Sequence, residues 1–192
     1  QSQKDPALSA GADYTNNVNG LYVGTWLTTI KWIKATGTTN SVSTTGPVEW
    51  DIYGGKRGEL GAGFSYDVGL LGYVYPGNGL KNVPGFVDGN TGEIYAQVGK
   101  GPYYIKYSNA LTNLFGFVDS RYSSYVDAGA NLDAGNGFTI VLHGGRQHVQ
   151  HSANASYTDW KVGVSKAWGT TTATLFASTN DGRFQMRPLS IA

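Results

Sequence analysis

The sequence predicts an all-β protein: an antiparallel up-and-down transmembrane β-barrel, formed as a single domain over residues 1–192. Three observations predict it. Helical periodicity is nearly absent; Gly interrupts almost every window, and Thr, Tyr, Val and Trp fill the gaps, which is strand chemistry. Read at period two, the chain resolves into about ten segments near the ~9–11 residues a tilted membrane strand needs. The connections alternate between short and long, as in an outer-membrane barrel with short periplasmic turns and long outer loops.

In order, the expected strands are 8–15, 20–33, 48–56, 61–75, 92–99, 103–109, 120–132, 137–146, 156–167 and 171–178. Short turns fall at Asn16–Asn19, Arg57–Leu60, Lys100–Pro102, Asp133–Asn136 and Trp168–Thr170. Long connections fall at Lys34–Pro47, Pro76–Thr91, Ala110–Asp119 and Gln147–Ala155, with a tail from Thr179. Ten strands put both ends of the chain on the long-loop side. Bacterial barrels normally end in the periplasm, so one further strand at each end, twelve in all, is the expectation for a complete barrel.

Alternation within the strands assigns faces. Val48, Trp50 and Ile52 oppose Glu49, Asp51 and Tyr53; Ile94, Ala96 and Val98 oppose Glu93, Tyr95 and Gln97. Phe138, Ile140 and Leu142 oppose Thr139 and His143; Trp160, Val162 and Val164 oppose Asp159, Lys161 and Ser165. This fits an apolar face toward lipid and a polar face toward a lumen. Period alone does not say which face is inside, but charges on one face need partners, and a lumen supplies them. The expected lumen residues are Glu49, Asp51, Tyr53, Asp67, Glu93, Tyr95, Gln97, Lys106, Asp127, His143, Asp159 and Lys161. The segment 20–28 is ambiguous, because Tyr22 and Trp26 oppose Leu21, Val23 and Leu27. Trp32, Trp50, Tyr75, Tyr103 and Trp168 lie close to turns and are expected to form aromatic girdles at the membrane boundaries.

Composition narrows the function classes. Charged residues make up 14% of the chain and the net charge is +1, so no basic stripe exists for a nucleic acid. Mean hydropathy is −0.27 and no run approaches ~18 apolar residues, which excludes helical spans. Without Cys there is no disulfide, Fe–S or thiolate zinc site. The chain opens at Gln1 with no basic-then-apolar leader, which reads as a processed or partial chain.

Several ordered motifs carry a family resemblance. Asp5-Pro6-Ala7-Leu8-Ser9-Ala10-Gly11-Ala12-Asp13-Tyr14 is followed by Gly20-Leu21-Tyr22-Val23-Gly24-Thr25-Trp26. Glu49-Trp50-Asp51-Ile52-Tyr53-Gly54-Gly55, Tyr66-Asp67-Val68-Gly69 and Tyr73-Val74-Tyr75-Pro76-Gly77 come next. Glu93-Ile94-Tyr95, Ile105-Lys106-Tyr107-Ser108 and Tyr157-Thr158-Asp159-Trp160-Lys161-Val162-Gly163-Val164-Ser165-Lys166 complete the series. Their order resembles the proteobacterial Gcw_chp family through nearly the whole chain. The resemblance implies an outer-membrane β-barrel of unsettled function, with no catalytic residues to carry over. Members usually open on a strand just before a Ser-Gln and close on a strand with a terminal aromatic; with Gln1-Ser2-Gln3 at its start and Ala192 at its end, this sequence is expected to be missing one strand at each end.

Candidate chemistry is sparse. His148 and His151 are the one close histidine pair, with His143 nearby, but they sit in a long connection without a flanking carboxylate. Solvated loop histidines are the simpler reading, so neither metal nor cofactor is expected. No Gly-x-Ser-x-Gly elbow is present, His143 falls on the polar face, and no enzyme is expected. Gly99-Lys100-Gly101-Pro102 lacks the spacing of a phosphate loop and is a turn. Leu111, Leu114, Phe115 and Phe117 make one long loop apolar; it either folds inward as a constriction, forms a contact for a neighbouring chain, or packs against other loops. The acidic excess on the polar face favours cations or polar neutral solutes, in a lumen that is either plugged or open. The expected function is a narrow porin-like channel. The alternative is a structural barrel that contacts other membrane proteins or a second copy, and a lipid-modifying enzyme ranks last. The expected partner is outer-membrane lipid.

Overall fold

The structure, a computed structural model, describes residues 7–169 and 171–181. It is a ten-stranded antiparallel meander whose spatial order follows the chain. The strands are β1 (Ser9–Thr15), β2 (Leu21–Thr29), β3 (Val48–Gly61), β4 (Phe64–Val74), β5 (Thr91–Lys100), β6 (Tyr103–Ala110), β7 (Ser124–Gly135), β8 (Phe138–His148), β9 (Tyr157–Trp168) and β10 (Thr171–Asn180). Among the described residues, β1 pairs only with β2 and β10 only with β9. The first six residues and the tail beyond Asp181, where further strands were expected, lie outside the described residues.

The sheet curls so that its ionic side is concave. Tyr22 of β2 reaches Asp67 of β4 and Tyr95 of β5, and Tyr53 of β3 reaches Asp13 of β1. Exposed Leu21, Val23, Leu27, Ile52, Val68, Leu70, Ile94, Val98, Ile105, Val126, Ile140, Leu142, Val162 and Val164 stand on the opposite, convex side. Water makes such a surface costly, whereas lipid matches it. Strand register resolves the ambiguity in β2. Tyr22 pairs with Gly55 and Trp26 with Asp51, so both face inward, and Leu21, Val23 and Leu27 face outward.

Three strand boundaries differ markedly from the sequence reading. The segment 20–33 ends as a strand at Thr29, and α1 (Trp32–Thr39) follows. Ile30, Trp32 and Ile33 are buried by tertiary packing, which strand periodicity does not register. Residues 57–60 are not a turn; they extend β3, with Arg57 opposite Asp67. The reversal lies at Ala62–Gly63, where Gly61, Ala62 and Gly63 all take positive φ. β7 also begins later than expected, at Ser124, because 120–123 belongs to a loop.

The four long loops (30–47, 75–90, 111–123 and 149–156) pack together into a roof over one end of the lumen. Ile33, Leu80, Val83, Leu114, Phe115, Val149 and Ala155 join Tyr73 and Tyr75 in one apolar cluster. Each fully buried Ile or Leu there contributes roughly 1.5–3 kcal/mol. Trp32 meets Tyr75 edge-on at 5.3 Å, and Phe115 meets Tyr73 at 5.1 Å. Phe115 also lines a small cavity with Tyr157 of β9, so the roof bridges β4 and β9. Backbone links tie the loops together: Val87 N–H donates to Gly116 O at 2.8 Å, and Gln150 N–H to Ser123 Oγ at 3.0 Å.

Candidate functional site

The concave face is built from tyrosine set against glycine. Tyr22 lies over Gly55, Tyr53 over Gly24, Tyr95 over Gly69, Tyr104 over Gly129 and Tyr125 over Gly145. A Cβ at Gly69 would sit 2.5 Å from the Tyr95 hydroxyl, and one at Gly145 2.0 Å from that of Tyr125. The glycines therefore provide space for rings to lie flat along the wall, and the ring hydroxyls reach carboxylates. Tyr22 Oη donates to Asp67 at 2.5 Å, Tyr53 to Asp13 at 2.6 Å, Tyr75 to Glu49 at 2.7 Å and Tyr125 to Asp159 at 2.8 Å. The abundance of Gly and Tyr signalled this pattern, but only register pairs the two.

All twelve residues expected in the lumen stand on the concave face: Glu49, Asp51, Tyr53, Asp67, Glu93, Tyr95, Gln97, Lys106, Asp127, His143, Asp159 and Lys161. Two groups among them are tightly clustered. On β6–β9, His143 bridges two carboxylates: Nε2 lies 3.2 Å from Asp159, and Nδ1 lies 2.9 Å from Asp127. The Nδ1 contact has ion-pair distance but an angle short of a hydrogen bond. Tyr104 donates to the same Asp127 at 3.1 Å, and Tyr125 lies 3.2 Å from His143 Nε2. Lys106 caps the Tyr95 ring at 4.2 Å.

The second group lies under the roof. Asp51 is 0% exposed, and neither of its carboxylate oxygens has a hydrogen-bond partner among the described residues. Glu49 and Glu93 lie within electrostatic range of it, and Tyr73 faces Glu93. An ionised carboxylate in such a setting is costly unless it is paired or protonated. Arg57, Trp26 and Asp13 also face this lumen; the sequence reading left the side of Trp26 undecided, put Arg57 in a turn and gave Asp13 no lumen role.

The expected girdle residues divide. Trp50, Tyr103 and Trp168 point outward and are exposed. Trp32 and Tyr75 are corrections: Trp32 is buried in α1 within the roof, and Tyr75, 1% exposed, points inward. Nearness to a turn does not fix the side of the wall, and Tyr75 shares the inward parity of Tyr73. Phe64, Phe138, Tyr107 and Trp160 also stand outward. At the short-turn end, Lys100 caps Phe64 at 4.4 Å and Lys166 caps Phe138 at 4.2 Å, an arrangement suited to a headgroup layer.

Of the apolar loop residues, Leu114 and Phe115 are buried in the roof, Phe117 packs against Phe86, and Leu111 is exposed. His148 is exposed at the end of β8, and His151 Nδ1 lies 2.8 Å from Asp119 O. No group of three His, Asp or Glu able to hold a metal occurs among the described residues.

A curled meander that is apolar outside and ionic inside has the architecture of a porin-type β-barrel. The chain belongs to the Gcw_chp family, described as a bacterial protein of unknown function, whose model matches residues 1–182. Among solved structures it is similar to a KdgM porin in complex with disordered oligogalacturonate. The TM-score is 0.62 at 8% identity, over 91% of this chain and 84% of that one. No curated protein matches the sequence.

Proposed function

We propose that this protein spans the bacterial outer membrane as a narrow, cation-preferring channel for small polar solutes. The single observation that carries the reading is the sorting of charge. Asp13, Glu49, Asp51, Asp67, Glu93, Asp127 and Asp159 face the lumen against Arg57, Lys106 and Lys161, while the other face of the same strands is apolar. Acidic linings raise the local cation concentration. The roof makes the passage narrow and sets its opening. Oligogalacturonate, the ligand named with the KdgM porin, is a polyanion; the acidic excess here favours neutral or cationic solutes instead. His143 is held by Tyr125, Asp127 and Asp159, a network suited to filling a wall rather than to acyl transfer.

The test is reconstitution into a planar bilayer across a KCl gradient. Discrete conductance steps with a reversal potential of cation-selective sign are expected. A silent bilayer, or an anion-selective reversal potential, contradicts the proposal.

A further inference from the structure

The convex wall is not smooth. Ala128, Ala130 and Gly144 floor an outward groove of about 670 Å³, within the ~300–1,000 Å³ range of small-molecule sites. Tyr103 and Trp160 wall it, and Arg146 closes one end. Strand register orders the groove from end to end. Tyr103, Ala130, Leu142 and Val162 share the level nearer the short turns; Ala128, Gly144 and Trp160 share the next; Val126, Arg146 and Thr158 share the level nearer the long loops.

Arg146 is exposed on this apolar wall. Its Nη1 donates to Thr158 Oγ1 at 3.0 Å, and the guanidinium has further donors to offer. His148, two residues on along the same face, is also exposed. A cation on a lipid-facing surface requires an anion, and guanidinium matches phosphate geometry. The described strands of a second copy offer none, because their carboxylates face inward.

We infer that this groove binds a phosphorylated saccharolipid of the outer leaflet, a lipid A, with one acyl chain between Trp160 and Tyr103 and a phosphate on Arg146. The long-loop end, where Arg146 lies, is the end that faces the outer leaflet. The inference rests on the outer-membrane reading above.

The test is native mass spectrometry of the protein extracted in mild detergent from outer membranes. The wild type should carry a lipid A mass. In Arg146→Glu its occupancy should fall roughly tenfold, as expected for loss of a charge-assisted contact. Arg146→Lys should retain most of the lipid, and Ala128→Trp, which fills the floor, should lose it. Heat-modifiable migration on gels verifies that each variant is folded. Equal occupancy in all variants, a glycerophospholipid in place of lipid A, or a change in dimer content without a change in lipid overturns the inference. Fractionation keeps the two claims apart. A wild type found in outer membranes without lipid A sinks the groove alone, and a wild type absent from membranes sinks the channel reading.

Discussion

Two sets of carboxylates in the lumen have different surroundings. Asp127 and Asp159 bracket His143 at 2.9 and 3.2 Å and take hydrogen bonds from Tyr104 and Tyr125. Under the roof, Glu49 takes one hydrogen bond from Tyr75, while Asp51 takes none among the described residues despite complete burial. The first set is completed by its own neighbours and stiffens the wall. The second is a cluster of buried carboxyls within electrostatic range of one another, with fewer side-chain hydrogen bonds. The two sets should therefore answer differently to substitution, which separates wall stability from the proposed selectivity.

The largest expected effect is on the completed set. His143→Ala leaves two carboxylates facing each other and should cost about 3–5 kcal/mol in urea unfolding from vesicles. Unfolding unchanged from wild type would contradict this assignment. Next comes the roof. Leu80, 0% exposed, lies among the packed loops, and Leu80→Ala should cost about 2–4 kcal/mol and raise single-channel conductance. Unchanged conductance would mean that the roof does not limit passage.

Smaller effects probe the second set directly. Tyr75→Phe removes the 2.7 Å hydrogen bond to Glu49 and should destabilise by about 1.5 kcal/mol. Asp51→Asn removes an ionisable group without removing a hydrogen bond to any described residue. It should leave unfolding within about 1 kcal/mol of wild type, on the stabilising side, as urea unfolding from vesicles would read. A strongly destabilised Asp51→Asn would show that this carboxylate is already neutralised by the fold.

Much of the wall was legible in the sequence because period two is a local property. The parity of Glu49, Asp51, Glu93, Asp127, Asp159 and Lys161 follows from their neighbours, and the structure places all six on the concave face. The roof was not legible. Ile30, Trp32, Ile33 and Leu80 are apolar for reasons of tertiary contact among loops far apart in the chain, so Ile30–Ile33 read as more strand and Trp32 as girdle. The reversal between β3 and β4 was misplaced because Gly58 resembles a turn residue; the positive φ of Gly61, Ala62 and Gly63 decides it instead. In β2 both faces carry large apolar side chains, so only pairing with Gly55 and Asp51 turns Tyr22 and Trp26 inward. The outer groove depends on small residues from two adjacent strands aligning by register, which no single segment displays.

The central claim concerns two adjacent residues, Val162 and Lys161, which the structure places on opposite faces of β9. The chain contains no native Cys, so Val162→Cys and Lys161→Cys can each carry a single spin label in reconstituted vesicles. Collision with dissolved oxygen should dominate at 162, and collision with a water-soluble nickel complex at 161. The reverse pattern, with water at 162 and a dry environment at 161, would contradict the claim.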